Sequence, residues 1–155
     1  MCGVDATSGN TMTRKDLLLA LLAAARGRSY TPAQLQKGMF LIATNLPTLV
    51  SDGPPFNFVP YDYGPFDRAV YDEASALQKQ GLVKIEPSGF GRWNVYSVSE
   101  EGVERGREVL SRMSEAHRNY VAEISRWVRA QSFSGLVKSI YKAYPEMRAN
   151  SIFRD

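Results

Sequence analysis

The chain has 155 residues, of which 44% are hydrophobic and 23% are charged, and its 19 basic and 16 acidic side chains give a net charge of +3. This composition is typical of one globular domain with a hydrophobic core. The single cysteine, Cys2, and the single histidine, His117, exclude a disulfide framework within the chain and the usual Cys/His zinc sites. So little cysteine indicates a reducing, cytoplasmic setting.

Residues 1–12 are predicted to form a flexible N-terminal arm, and no signal peptide is expected because this stretch lacks an apolar run. Met1 and Met12 are alternative starting residues. The first long apolar run, at residues 17–25, is too short to span a bilayer, so no membrane partner is expected.

Two helices with good N-terminal signals come next. Residues 13–16, Thr-Arg-Lys-Asp, resemble a capping box and begin a first helix that runs to Ala25. Residues 31–34, Thr-Pro-Ala-Gln, begin a second helix that ends near Pro47. The run GMFLIA at 38–43 is apolar on nearly all sides, which places this second helix at the centre of the fold.

A third helix and a β-hairpin fill the middle of the chain. A short extended segment at 58–61 is followed by Pro65, which begins a helix that runs to about Gln80. Residues 82–86 and 93–98 alternate between apolar and polar side chains, so they predict two strands around a glycine-rich tip.

The C-terminal third is predicted to be helical, with a cap at residues 99–102, a helix at 114–131 and a last helix that stops at Pro145. The resulting order predicts an α+β, mainly helical fold. Its core, residues 13–98, is a winged helix-turn-helix with a two-stranded wing, and residues 99–155 form a helical extension.

The extension either packs on the core or forms a homodimer interface through residues 100–144. A small winged-helix core is not expected to bury all of its apolar side chains, which favours the dimer. The positions concerned are Val103, Val109, Leu110, Met113, Tyr120, Ile124, Trp127, Val128, Leu136 and Ile140.

Scattered motifs carry a family resemblance. They are LQKGMFLIA at 35–43, YDYGPF at 61–66, Tyr71, QGLV at 80–83 and AYPE at 143–146. Over roughly residues 13–150 the chain resembles YwgA-like proteins and the SocA-like, or Panacea, antitoxin domains. The resemblance implies a helical, winged-helix fold without enzymatic chemistry and, in the antitoxin branch, direct binding to toxin proteins. Antitoxin-type members often have tryptophan or another residue where residues 61–63 stand here, so the branch stays open.

The aromatic stretch YDYGPF has two interpretations. In the first, Tyr61, Tyr63 and Phe66 form an exposed patch that binds a partner protein, together with Arg68 and Tyr71 on the outward face of the third helix. In the second, the same rings pack the junction between strand and helix.

A nucleic-acid partner would meet the third helix and the wing. The candidate contacts are Arg68, Ser75 and Lys79 on that helix and Arg92 at the wing tip. Arg92 either enters a minor groove or lies in water while Trp93 packs beneath the tip. The helix carries two basic and three acidic side chains, however, and its acidic residues face the phosphates. DNA binding is therefore possible but not favoured.

The chain contains no nucleophile paired with a base, phosphate-binding glycine loop or dinucleotide motif. We therefore expect a regulatory binding module without catalytic residues, metal or cofactor. Its expected role is antitoxin- or adaptor-like recognition of a partner protein, such as a toxin or a component of a defence system. The alternatives are a dimeric winged-helix transcriptional regulator and a small enzyme of unrecognised type.

Overall fold

The computed structural model describes residues 11–89 and 91–154. Over these residues the fold is α+β and mainly helical, with six α-helices and two small antiparallel sheets of two strands each. In chain order the elements are α1 (Arg14–Ala24), α2 (Pro32–Asn45), β1 (Val59–Tyr61), β2 (Gly64–Phe66), α3 (Ala69–Lys79), β3 (Val83–Pro87), β4 (Asn94–Val98), α4 (Glu100–Ser111), α5 (Glu115–Ala130), α6 (Phe133–Ala143) and a 3-10 helix (Pro145–Arg148).

The two predicted capping boxes are confirmed. Thr13 and Asp16 close one at the start of α1, and Thr31 and Gln34 close the other at the start of α2. Every residue from Leu17 to Ala23 is buried, because α3, α4 and α5 pack around α1. Residues 35–42 of α2 are buried as well, so two adjacent helices form the centre of the core.

Residues 1–10 of the expected arm lie outside the described residues. Met12 is buried, and its amide donates to Ser51 Oγ at 3.0 Å. Its carbonyl oxygen accepts from the amide of Ser51 at 2.9 Å. Met12 is therefore part of the packed fold.

The prediction that Pro65 begins the third helix is wrong. Gly64, Pro65 and Phe66 form β2, which pairs with β1 in a tight hairpin, and α3 begins only at Ala69. Gly64 has a φ of +109°, a backbone conformation that favours glycine and that turns the chain back along β1. Asp67 then accepts from the amide of Ala69 at 2.9 Å, which helps to start α3.

The two predicted strands around the glycine-rich tip are present as a hairpin of β3 and β4, with Val83 opposite Val98, and this hairpin is called the wing below. The segment between α1 and α2 joins its edge, because Tyr30 and Tyr96 exchange backbone hydrogen bonds of 2.8 and 2.9 Å. The hydroxyl of Tyr30 lies in the core, 2.5 Å from the Leu21 carbonyl oxygen and 2.6 Å from Ser125 Oγ.

The C-terminal helices pack on the rest of the chain. A Cβ atom at Gly106 would collide with Ala23, so the glycine lets α4 approach α1 closely. Of the ten apolar side chains named for residues 100–144, six are buried within the chain and four are only partly buried. Val109, Met113, Ile124, Val128, Leu136 and Ile140 are buried in one cluster with α1 and α2, and Val103, Leu110, Tyr120 and Trp127 are partly buried against it.

Within the described residues, no helix is long and apolar enough to cross a membrane.

Candidate functional site

The hairpin of β1 and β2 is held from two sides. On one side Gln36, buried in α2, donates its amide to the Asp67 carbonyl oxygen at 2.9 Å and accepts from the Asp67 amide at 3.0 Å. On the other side the C-terminal tail crosses the hairpin, since the Ile152 amide donates to the Asp62 carbonyl oxygen at 2.9 Å. The hairpin is therefore fixed in place between α2 and the tail.

Four aromatic rings run from the hairpin to the wing. Tyr61 stacks on Phe66 with ring centres 4.9 Å apart, and Phe66 meets the edge of Tyr71 at 5.9 Å. Tyr71 in turn stacks on Tyr96 of β4 at 5.9 Å. Phe66 and Tyr71 are partly buried, as packing of the junction requires, while Tyr61 is 52% exposed.

The expectation that Tyr71 points outward is wrong, because the wing covers its ring. Burial raises the pKa of its hydroxyl to about 12. Arg68, which was expected beside it, is exposed and lies 3.8 Å from the carboxylate of Asp72. Four of the five proposed partner-binding residues, Tyr61, Tyr63, Phe66 and Tyr71, line one cavity, and Arg68 does not.

Lys37 lies at this cavity, whose volume is about 300 Å³. The side chain is only 5% exposed, and its Nζ donates to the Pro65 carbonyl oxygen over a long 3.5 Å. No carboxylate of the described residues lies within 4.0 Å of Nζ, although Asp62 lines the same cavity. Burial lowers the pKa of the amine from 10.5 to about 8.

A second cavity of about 400 Å³ adjoins the first, and the two share Pro32, Ala33 and Phe133. Trp93 lines it and is 46% exposed, and its ring also packs against Gly91 at the tip, where an added Cβ atom would collide with it. Phe133 lines both cavities and makes a T-shaped contact with Tyr63, with ring centres 5.1 Å apart. We call the two cavities, with their exposed rings Tyr61, Tyr63, Trp93 and Phe133, the aromatic groove.

The residues proposed for nucleic-acid binding lie on exposed surface. Arg68, Ser75 and Lys79 are exposed along α3, and Arg92 is exposed at the wing tip. Asp72 shares the helical face of Arg68 and Ser75 at spacings of four and three residues. A carboxylate therefore stands in the middle of the face that would meet phosphates.

In residues 11–89 and 91–154, no three His, Cys, Asp or Glu side chains come together as metal ligands would. His117 is half-buried in the first turn of α5, where its backbone amide donates to the capping Ser114 at 3.1 Å. Cys2 and Phe90 lie outside the described residues.

The sequence interpretation missed three members of the site: Gln36, Lys37 and Phe133. A signal for the first two was present, because Gln36 and Lys37 interrupt an apolar helix that was expected to be buried on nearly all sides. No family model matches the chain, and no curated protein matches it. Its function is therefore inferred from the groove itself.

Proposed function

We propose that this protein is a non-enzymatic binding module, antitoxin- or adaptor-like, whose aromatic groove holds a segment of a partner protein. One observation carries the proposal. Four large rings, Tyr61, Tyr63, Trp93 and Phe133, are between 40% and 52% exposed, and they surround two adjoining cavities. Exposed aromatic side chains beside cavities are typical anchors of protein interfaces.

The rigidity of the groove supports the same conclusion. The hairpin that carries Tyr61 and Tyr63 is tied to α2 and to the C-terminal tail, and Phe133 lies in the first turn of α6. A binding surface whose rings are already held in position loses little conformational freedom when the partner binds.

Lys37 defines the chemistry of the partner. A buried amine that has no carboxylate of the described residues within 4.0 Å carries an electrostatic cost, which an acidic side chain from outside would relieve. The surrounding cavity is lined mainly by aromatic and other apolar side chains. The partner segment that fits has an aspartate or glutamate flanked by apolar residues. The resemblance to SocA-like proteins adds a toxin or a defence-system component as the class of protein that would supply it.

A dimeric winged-helix DNA-binding regulator is the second candidate. It is supported by the element order of residues 13–98, in which α2 and α3 precede the β3–β4 wing. The backbone bridge between Tyr30 and Tyr96 adds a short third strand to that wing, as a winged helix-turn-helix would have. Against it stand Asp72 on the exposed face of α3 and the intramolecular burial of most apolar side chains in residues 100–144.

Selection of random 12-residue segments displayed on phage tests the proposal. We expect the wild type to enrich segments with an acidic residue between apolar ones. Binding of the selected segments should fall in Tyr63→Ala and Phe133→Ala but not in Ile152→Ala, since Ile152 is exposed yet lines neither cavity. Enriched segments that bind all three variants equally would contradict the proposal. Sequence-specific protection of duplex DNA that is abolished in Arg68→Ala would favour the second candidate instead.

A further inference from the structure

A basic cleft lies between the α1–α2 connection and α5. Its volume is about 780 Å³. It is lined by four arginines, Arg26, Arg28, Arg126 and Arg129, and by four alanines. We call it the arginine cleft. It has no lining residue in common with the aromatic groove.

The backbone places the first two arginines at the rim. Arg26 has a φ of +53° and Gly27 a φ of +94°, so two successive left-handed residues turn the chain after α1. Arg26 and Arg28, on either side of that glycine, are both exposed. A left-handed conformation at an arginine is unfavourable, and such conformations gather at functional sites.

None of the four cleft arginines forms an ion pair with a carboxylate of the described residues. In residues 11–89 and 91–154 the ion pairs are made by Arg14, Arg68 and Arg105, and none involves a cleft arginine. Glu86 lines the adjoining cavity, which it shares with Arg28 and Arg129, without coming within 4.0 Å of either guanidinium. Four positive charges therefore face one cleft, and the described residues that line it include no carboxylate.

Arg129 is also held in position from within the fold. Its Nε donates to Ser125 Oγ at 3.3 Å, and its guanidinium lies over the ring of Tyr30 at 5.8 Å. These interactions hold the Arg129 side chain at the edge of the cleft, and a guanidinium group has five N–H donors in total. The alanines that line the rest of the cleft offer room and no competing acceptor side chain.

We propose that the arginine cleft binds phosphate groups, at least two at a time, from a nucleic-acid strand or a free polyphosphate. Arginine donates to phosphate oxygens through two parallel N–H groups, which makes it the side chain of choice for this anion. A ligand with several negative charges is needed to balance four guanidinium groups in one cleft. The proposal is independent of the aromatic groove and stands or falls separately from it.

The test is to titrate three probes into the full chain: inorganic triphosphate, a 12-nucleotide single-stranded DNA, and an oligoglutamate with the charge of the DNA. We expect the triphosphate, the DNA or both to bind, and the double variant Arg28→Gln/Arg126→Gln to weaken that binding at least tenfold. Arg107→Gln, an exposed arginine on α4 outside the cleft, serves as the control. Binding of the DNA alone would identify a nucleic acid as the source of the phosphates, and binding of triphosphate would identify a small ligand.

Salt dependence gives a second readout. For single-stranded DNA, the slope of log K against log salt changes by about 0.7 for each phosphate that the protein neutralises. The double variant removes two such charges, so it should reduce the slope by about 1.4. The proposal is overturned by any one of three results. In the first, neither phosphate probe binds near physiological salt. In the second, oligoglutamate binds as tightly as the phosphate probes, and in the third the double variant binds with wild-type affinity.

Discussion

The Nζ atom of Lys37 donates to the carbonyl oxygen of Pro65 at 3.5 Å, and within the described chain this is the only hydrogen bond that the amine makes. This hydrogen bond joins α2 to β2, the strand of the β1–β2 hairpin that contains Pro65 and lies at the groove. It is longer than the usual 2.7–3.2 Å of an N–H···O bond, so the amine keeps donor capacity for a ligand. A buried charge with so few hydrogen-bond partners lowers the stability of the fold. Such a residue therefore indicates a functional site.

Replacing Lys37 by methionine should stabilise the fold. The folded pKa of about 8 lies below the ordinary 10.5, so between these pH values the unfolded chain binds more protons. The free energy of unfolding of the wild type therefore increases as pH rises from about 8 to 10.5. It decreases again as pH falls back through this range to the folded pKa of about 8. We expect Lys37→Met to raise the free energy of unfolding at pH 7 by roughly 1–3 kcal/mol.

Urea unfolding at pH 7, 8 and 10 measures this effect. The advantage of the methionine variant should shrink between pH 8 and 10, because the wild type sheds its buried charge there. Titrating tyrosines are common to both proteins and cancel in the difference. A variant that is less stable at pH 7, with a difference that does not change with pH, would show that Lys37 is a structural residue.

Removing a ring of the aromatic groove should affect binding far more than folding. Tyr63 and Phe133 are 40% and 47% exposed, so each alanine variant should lose under about 1 kcal/mol of unfolding free energy. Loss of a true anchor weakens binding by about 2 kcal/mol or more. Thermal unfolding and calorimetric titration with a selected segment measure the two effects, and a variant that unfolds early without losing affinity would refute the assignment.

Gly106→Ala should destabilise the protein although alanine is the better helix former. The added methyl group would collide with Ala23 where α4 crosses α1. Overpacking of this kind costs about 1–3 kcal/mol, which exceeds the gain of about 1 kcal/mol in helix propensity. Glu108→Ala, at an exposed position of the same helix, is the control and should be nearly neutral. An increase in melting temperature for Gly106→Ala would mean that the helices pack less closely.

Gln36→Leu should loosen the hairpin. The leucine would leave the backbone amide and carbonyl of Asp67 without their side-chain partners, at a cost of about 1–3 kcal/mol. Amide hydrogen exchange in β1 and β2 should accelerate, while Gln78→Leu, on the exposed side of α3, should leave it unchanged. Unaltered amide exchange in Gln36→Leu would mean that the hairpin is held in place without the hydrogen bonds of Gln36.

Local signals in the sequence predict the helix starts well. Thr13 and Thr31 begin capping boxes whose partners are three residues away, so a short stretch determines the outcome. Pro65 is different, because proline is accepted both in the first turn of a helix and in a short edge strand. The Gln36 side chain favours the strand by binding the backbone of Asp67, which is 31 residues away in the chain. A hydrogen bond between residues so far apart in the chain cannot be predicted from the local spacing of apolar residues.

The candidate sites were harder to predict for the same reason. Helical spacing placed Tyr71 on the outer face of α3, and the ring of Tyr96, brought over by the wing, covers it. The arginine cleft joins residues near position 27 to residues near position 127, so composition gives its charge but not its location. Lys37 had a local signal, since a lysine inside a buried apolar helix indicates a special role.

Recognition of an acidic residue of a partner segment by Lys37 is central to the function proposed for the aromatic groove. The most direct test is to select random displayed segments in parallel on the wild type and on Lys37→Met. We predict that wild-type selections enrich an aspartate or glutamate at a fixed position between apolar residues. The Lys37→Met selections should keep the apolar pattern and lose the acid. The same acidic preference in both selections, or no acidic preference on the wild type, would contradict this role of Lys37.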